Sequence, residues 1–147
     1  MKEIEFTLND PITYQDAGNP NVDCFQLFLV APNSKLTRHC AILRQGFMRQ
    51  ILKYRDLAKI KEEEIKVKKT QETEEKEMDG QGMLAIIYMS DLDLDAYFGS
   101  FRAICLGGCV KTPNGKWVTD VILDKISFKD FERMLGEFLQ NFIIGSD

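Results

Sequence analysis

The stretch "NGKWVTDVILDKISFKDFERMLGEFLQNFI", residues 114–143, decides how this chain folds. Its second half has the pattern of an amphipathic helix that opens at Ser127, since a serine followed three residues later by an aspartate resembles a capping box. Apolar residues recur there at steps of three and four, which predicts one apolar helix face made of Phe128, Phe131, Leu135, Phe138, Leu139 and Phe142. A face this apolar must pack against the protein's own core or against another protein.

Three residues at the side of that face predict a surface for partners. Met134 and Ile143 lie beside the core stripe, and Leu139 lies at its edge. A helix on a domain of about 150 residues rarely buries apolar residues over more than half of its circumference without another chain. We therefore expect Met134, Leu139 and Ile143 to form a self-association or client-binding surface. The alternative is that all three fill one wide core.

The residues before this helix predict a short hairpin. "PNG", residues 113–115, is strong turn chemistry, because proline fixes φ and Asn-Gly tolerates positive φ. The turn would bring Trp117 back towards the start of the last helix. We therefore expect Trp117 to be buried against that helix.

The beginning of the chain predicts a β-hairpin followed by a helix. Residues 3–8 alternate apolar and polar side chains, and residues 22–30 form a largely apolar run, so each stretch is typical of a strand. The residues between them are rich in turn formers, which indicates a long, loose connection with Pro11 at an edge or a bend. Pro32 then closes the second strand, and Asn33 or Ser34 can cap a long amphipathic helix.

A charged block divides the chain. Thirteen of the twenty residues 61–80 are charged, which favours either a solvated helical extension or a mobile linker. We expect helix to about residue 69 and mobility over residues 70–80. Residues 1–60 would form the β-hairpin and first helix, and residues 81–147 a helical unit with the short hairpin, the two together making one domain. The predicted fold class is α+β: an N-terminal β-hairpin packed on a small helical bundle, with a second short hairpin before the C-terminal helix.

Composition narrows the class of protein. The chain has 147 residues and a formal net charge of −4, which argues against nucleic-acid binding, since that function needs a basic face. No apolar run approaches the roughly 20 residues that span a bilayer. The first residues lack the plan of a signal peptide, so we expect a cytosolic protein whose four cysteines are reduced.

No constellation of residues predicts catalysis, a cofactor or a metal. His39 and Cys40 are neighbours on a helix and point about 100° apart, so adjacency does not pair them. Cys105 and Cys109 are four residues apart, but a structural zinc site normally needs four ligands. We expect no enzymatic activity. The least unfavourable alternative is a small metal-binding enzyme that uses Cys105, Cys109 and His39.

Both ends of the chain resemble the tail assembly chaperones of tailed bacteriophages. At the N-terminal end the resemblance lies in Leu8, Pro11 and Ile12 and in the run of residues 25–29, followed by Pro32 and Asn33. At the C-terminal end it lies in a short leucine-bearing loop that leads through an aspartate into a final apolar helix, matched by Leu123, Ile126, Asp130, Leu135 and Phe138. The charged block at 61–80 and the long first connection depart from the family's pattern.

The resemblance implies a function without catalysis. Such chaperones coat the long apolar tape measure protein before tail tube subunits polymerise around it. Its partners would be the tape measure and tail tube proteins in the host cytoplasm, with a homo-oligomer as a further possibility and neither nucleic acid nor membrane as a partner. The alternative within the interaction class is a small virion structural protein, such as a tail or head completion protein.

Overall fold

A computed structural model describes residues 2–16, 19–65, 80–88 and 92–144. The described residues form an antiparallel sheet of three strands and five α-helices, so the predicted α+β class with an N-terminal hairpin is confirmed. One turn of 3-10 helix precedes the first helix, and two wide helical turns follow the third and fifth. In chain order, the elements are β1 Glu3–Asp16, β2 Asn19–Val30, the 3-10 turn Ser34–Leu36, α1 Thr37–Ile65, α2 Gly80–Tyr88, α3 Leu94–Ile104, the wide turn Cys105–Cys109, β3 Val110–Lys111, α4 Asp120–Lys125, α5 Phe128–Phe138 and the wide turn Leu139–Ile143.

The N-terminal hairpin is longer than the sequence suggested. Its strands pair in the order β1-β2-β3 and run as far as residues 16 and 19, so the prediction of a long, loose connection is wrong. A shift in register between Thr7 and Ile12 explains the difference, because an irregularity in β1 accommodates Pro11 inside the strand. Pro11 lies on a sheet-edge strand, as predicted, where a missing N–H need not break the pairing with β2.

The first helix begins and packs as its pattern predicts. Asn33 accepts a hydrogen bond from the backbone N–H of Lys35 at 2.9 Å and so caps the 3-10 turn that leads into α1. Leu43 and Phe47 on the predicted apolar face are fully buried. The predicted end of this helix near residue 69 lies outside the described residues. The predicted mobile stretch 70–80 lies outside them too, except for Gly80, where α2 begins.

The connection from α3 to the sheet depends on a glycine. Gly108 has a φ of 99°, which an L-residue with a side chain rarely adopts, and this turns the chain out of the helix into β3. β3 then pairs with β2 through Val110 opposite Leu29 and Lys111 opposite Phe28. A bridge between Lys111 and Trp117 closes the predicted second hairpin.

The C-terminal helix occupies the middle of the fold. Ser127 caps α5 by accepting a hydrogen bond from the N–H of Asp130 at 3.2 Å, as the sequence predicts. α5 packs against α2 and β1, and it approaches α2 very closely where Gly80 faces Gly136. A Cβ added at Gly136 would lie 2.6 Å from the carbonyl oxygen of Gly80, so only glycine permits this approach.

Residues before and after the charged block form one hydrophobic core. Buried residues of β1, β2 and α1 form one cluster with those of α2, α3 and α5. Its largest fully buried side chains include Leu27, Phe47, Phe101, Met134 and Phe138.

Polar side chains of α4 and α5 cover part of the free edge of β1. The Asp130 carboxylate is fully buried and accepts hydrogen bonds from the backbone N–H groups of Asn9, at 3.1 Å, and Asp10, at 3.0 Å. Arg133 pairs with Asp130 at 2.6 Å and donates to the carbonyl oxygen of Thr7 at 3.3 Å. The ammonium group of Lys125 donates to the carbonyl of Thr13 at 2.8 Å. These side chains replace the neighbouring strand that an edge lacks.

Candidate partner-binding surface

A row of aromatic rings leads from the core to the surface. It runs through Phe142, Phe138, Phe101 and Phe131, whose successive ring centroids lie 5.2, 5.6 and 5.2 Å apart. Of these four rings, Phe101 and Phe138 are fully buried. Phe131 is followed by Phe98 at 6.0 Å. Tilted ring pairs at these separations are favourable contacts, so the row is a continuous packed unit of α3, α5 and the turn after α5.

The outer end of the row is exposed. The ring of Phe98 contacts Phe128 with centroids 5.3 Å apart and Tyr88 with centroids 6.2 Å apart. Phe128 is 59% exposed and Tyr88 is 42% exposed. We call these three residues, Tyr88, Phe98 and Phe128, the aromatic patch.

The position of Phe128 in its helix explains its exposure. Phe128 is the first residue of α5 and lies seven positions before Leu135 on the same helix face. Leu135 is fully buried, whereas Phe128 lies at the rim of the core. The predicted apolar face is therefore confirmed at Leu135 and Phe138, but the prediction that Phe128 belongs to the core is wrong.

A polar contact fixes the Tyr88 side of the patch. The Tyr88 hydroxyl donates a hydrogen bond to the carboxylate of Glu132 on α5. Burial of the hydroxyl, and then the hydrogen bond and negative charge of Glu132, raise the pKa of Tyr88 well above its usual value. The hydrogen bond to Glu132 holds the Tyr88 ring beside Phe98. A rigid ring with one polar tip is typical of residues that form protein interfaces.

The three residues predicted to face a partner lie elsewhere. Met134 and Leu139 are fully buried and Ile143 is almost so, which corrects the prediction that they form an exposed surface. The helix α5 does not cover one side of the domain, because α2, α3 and β1 surround it. In addition, Arg44 of α1 donates to the carbonyl of Ile143 at 2.8 Å. The structure therefore matches the alternative of one wide core.

The structure also corrects the prediction for Trp117. It is 49% exposed, so the prediction that it is buried against the last helix is wrong. Trp117 bridges Lys111 across the short hairpin, and the Lys111 ammonium lies 5.5 Å from the indole centroid. Because successive side chains of a strand point to opposite faces, Val118 takes the inward position and is buried.

Cys105, Cys109 and His39, the residues of the metal-binding alternative, belong to no metal-binding cluster among the described residues. Cys105 and Cys109 are fully buried free thiols. Burial, with the neighbouring Cys40 thiol as a second cause, raises the pKa of Cys109 to about 12, and burial also raises the pKa of Cys105. Such thiols are almost entirely protonated at neutral pH and are poor nucleophiles. His39 is half-buried, and no group of three or more His, Cys, Asp or Glu residues among those described could hold a metal ion.

The sequence contained only a partial signal for the aromatic patch. Phe128 belongs to the apolar face predicted for the last helix, and nothing in the spacing places it beside Phe98. A position immediately after the helix cap was the one indication that Phe128 could lie outside the core.

None of the helices described in residues 2–16, 19–65, 80–88 and 92–144 has the length and apolar character needed to cross a membrane. Comparison of the chain with protein-family models, with curated proteins and with solved structures gave no match.

Proposed function

We propose that this chain is a non-enzymatic tail assembly chaperone of a tailed bacteriophage, which binds the tape measure protein and assists assembly of the tail tube. The proposal rests on the resemblance in the sequence and on one structural observation, the exposed aromatic patch. The patch would receive an apolar stripe of a client helix.

The packing behind the patch supports this role. Phe98 contacts both exposed rings of the patch, and the row continues inward to the fully buried Phe101 and Phe138. A patch held by the core loses little side-chain freedom when a partner binds, which favours binding. Aromatic side chains in such positions carry a large part of the binding free energy of protein interfaces.

Reversible binding is compatible with the size of the patch. Two exposed rings and one half-buried ring form a small contact surface, well below the area of an obligate interface. A chaperone must release its client when tube subunits take its place, so a small surface used many times along a long client fits the task.

The experiment is a binding measurement with purified tape measure protein encoded by the same genome. We expect the wild-type chain to bind and to keep the client in solution. Phe128→Ser should weaken binding by about tenfold or more, as expected for an exposed aromatic anchor. Calorimetry or fluorescence anisotropy would measure the change.

Phe25→Ser provides a matched control, because Phe25 is a 57% exposed phenylalanine on strand β2, outside the aromatic patch. It should leave binding unchanged. Equal losses from both variants would contradict a role for the patch, and absence of binding by the wild-type chain would contradict the proposed function.

A further inference from the structure

The free edge of β1 has two different halves. Between Thr7 and Thr13 its polar groups bond to side chains of Asp130, Arg133 and Lys125. Nearer the N terminus the edge borders a cleft with a volume of about 310 Å³. The cleft is lined by Glu5, Phe6 and Thr7 of β1, by Leu84 of α2 and by Arg133 and Glu137 of α5.

The backbone of Glu5 faces this cleft. The carbonyl of Thr7 lies on the outer edge, since it accepts from Arg133. The register is regular from Glu5 opposite Phe28 to Thr7 opposite Gln26, and backbone groups of alternate residues point to the same side of a strand. The N–H and C=O of Glu5 therefore also point outward. Within the described parts of the chain, no hydrogen bond reaches them from that side.

The pairing on the other side of the sheet supports this orientation. Phe28 lies opposite Glu5 on one side and opposite Lys111 of β3 on the other. The residue after β3, Thr112, donates its N–H to the carbonyl of Lys116, and Val110 accepts from the N–H of Val118, so Lys111 faces β2. The backbone of Phe28 is thus directed to β3 and away from Glu5, as alternation requires.

The charge of the cleft is negative. The guanidinium of Arg133 is neutralised by Asp130 and lies 4.6 Å from the centroid of the Phe6 ring. The carboxylates of Glu5 and Glu137 have no ion-pair partner among the described residues. A segment that enters the cleft therefore meets the carboxylates of Glu5 and Glu137 and the half-buried apolar side chain of Leu84.

We propose that this edge binds an extended segment of another protein, rich in alternating basic and apolar residues, which adds to the sheet as a strand beside β1. The strand would exchange hydrogen bonds with the N–H and C=O of Glu5, as in other cases of strand addition. A lysine or arginine opposite Glu5 would form a favourable cross-strand pair. A polyamine could satisfy the carboxylates but offers no acceptor to the N–H of Glu5. This inference does not depend on the proposed function or on the aromatic patch.

The test uses the full chain and a fluorescein-labelled peptide of sequence Lys-Val-Lys-Val-Lys with blocked ends. We expect saturable binding by fluorescence anisotropy, weakened by added salt, together with slower hydrogen exchange at the backbone N–H of Glu5. The same peptide with its central amide nitrogen and its neighbours methylated cannot pair as a strand and should bind about tenfold more weakly or worse. A Glu-Val-Glu-Val-Glu peptide should not bind.

Variants of the protein test how much the two carboxylates of the cleft contribute to peptide binding, apart from the strand edge. Glu5→Lys combined with Glu137→Lys should reduce binding of the basic peptide by about tenfold or more, because it reverses both charges of the cleft. Asp23→Lys combined with Asp95→Lys is the matched control, since both are exposed carboxylates outside the cleft and the pair changes the net charge equally, and it should have little effect. Four results would each overturn the proposal. Two concern the peptide: equal binding of its methylated form, or no binding by the wild-type chain. The other two are unchanged hydrogen exchange at Glu5 and equal losses from the control and the double variant.

Discussion

Two regions of the molecule depart from the rule that charged residues are exposed and aromatic residues are buried. They are the first turn of α5 and the short hairpin before α4. The first turn of α5 holds the carboxylate of Asp130 out of contact with solvent, with two backbone N–H groups and Arg133 as its partners. The short hairpin leaves half of Trp117 exposed, although it is the single tryptophan of the chain. Both placements follow from backbone hydrogen bonding: the irregular edge of β1 needs an acceptor, and the strand pairing turns Trp117 outward.

The comparison teaches where the stability of this fold lies. A buried carboxylate that keeps its partners is tolerated, whereas removing it deprives two backbone N–H groups of their acceptor and leaves Arg133 with only the Thr7 carbonyl. A half-exposed aromatic residue such as Trp117 contributes less, because about half of its surface remains in water after folding.

Removal of the Asp130 carboxylate should have the largest effect. Asp130→Ala is expected to lower the free energy of unfolding by about 2–4 kcal/mol, because two backbone N–H groups lose a charged acceptor and the half-buried Arg133 loses its carboxylate partner. Urea denaturation followed by circular dichroism measures the change. Asp124→Ala is the control, because Asp124 pairs with Arg102 at 2.8 Å at the surface and should cost less than about 1 kcal/mol. A similarly small loss for Asp130→Ala would show that the buried carboxylate stabilises the fold no more than a surface carboxylate does.

The position of Asp130 depends on where α5 lies, and a variant at Gly136 tests whether close packing against α2 holds α5 there. Gly136→Ala is expected to destabilise the protein by about 1–3 kcal/mol, since the added methyl group meets the backbone of Gly80. Gly99→Ala on α3 meets no atom within 4 Å. It should be neutral or stabilise by up to about 1 kcal/mol through helix propensity. Thermal unfolding should show a lower midpoint for Gly136→Ala than for Gly99→Ala, and equal midpoints would show that α2 and α5 separate readily.

The cap before Asp130 should have a smaller effect. Ser127→Ala removes the acceptor of the Asp130 N–H and should cost about 1 kcal/mol in chemical denaturation, whereas Ser127→Asp keeps an acceptor and should retain most of the stability. Equal stability of the two variants would indicate that the bonds of the Asp130 carboxylate alone hold this turn.

Trp117 should have the smallest effect. Trp117→Ala is expected to cost less than about 1 kcal/mol, which is the size of an exposed cation–π contact such as the one with Lys111. Circular dichroism is the measure, because the variant has no tryptophan fluorescence. In the wild-type chain, acrylamide should quench the fluorescence of Trp117 efficiently. A loss near that of Asp130→Ala would show that the two regions do not differ as described.

The sequence predicted the local elements better than their surroundings. Turn and cap chemistry is local, so the hairpin at "PNG" and the cap at Ser127 could be predicted from neighbouring residues. The burial of Met134 and Leu139 could not, because it depends on α2 packing against α5 from a distant part of the chain. The aromatic patch likewise joins residues of three helices, and periodicity within one helix contains no information about the next.

The bonds between Asp130 and the edge of β1 can form only late in synthesis of the chain. Asn9 and Asp130 are 121 positions apart, so during synthesis the first hairpin emerges long before the side chain that covers its edge. At about 5–20 residues per second, the interval is on the order of ten seconds. Throughout it the nascent hairpin presents an uncovered strand edge to other chains on the same polysome. Protection by ribosome-associated factors would therefore matter most for the first half of the chain, and a stalled ribosome would prolong its exposure.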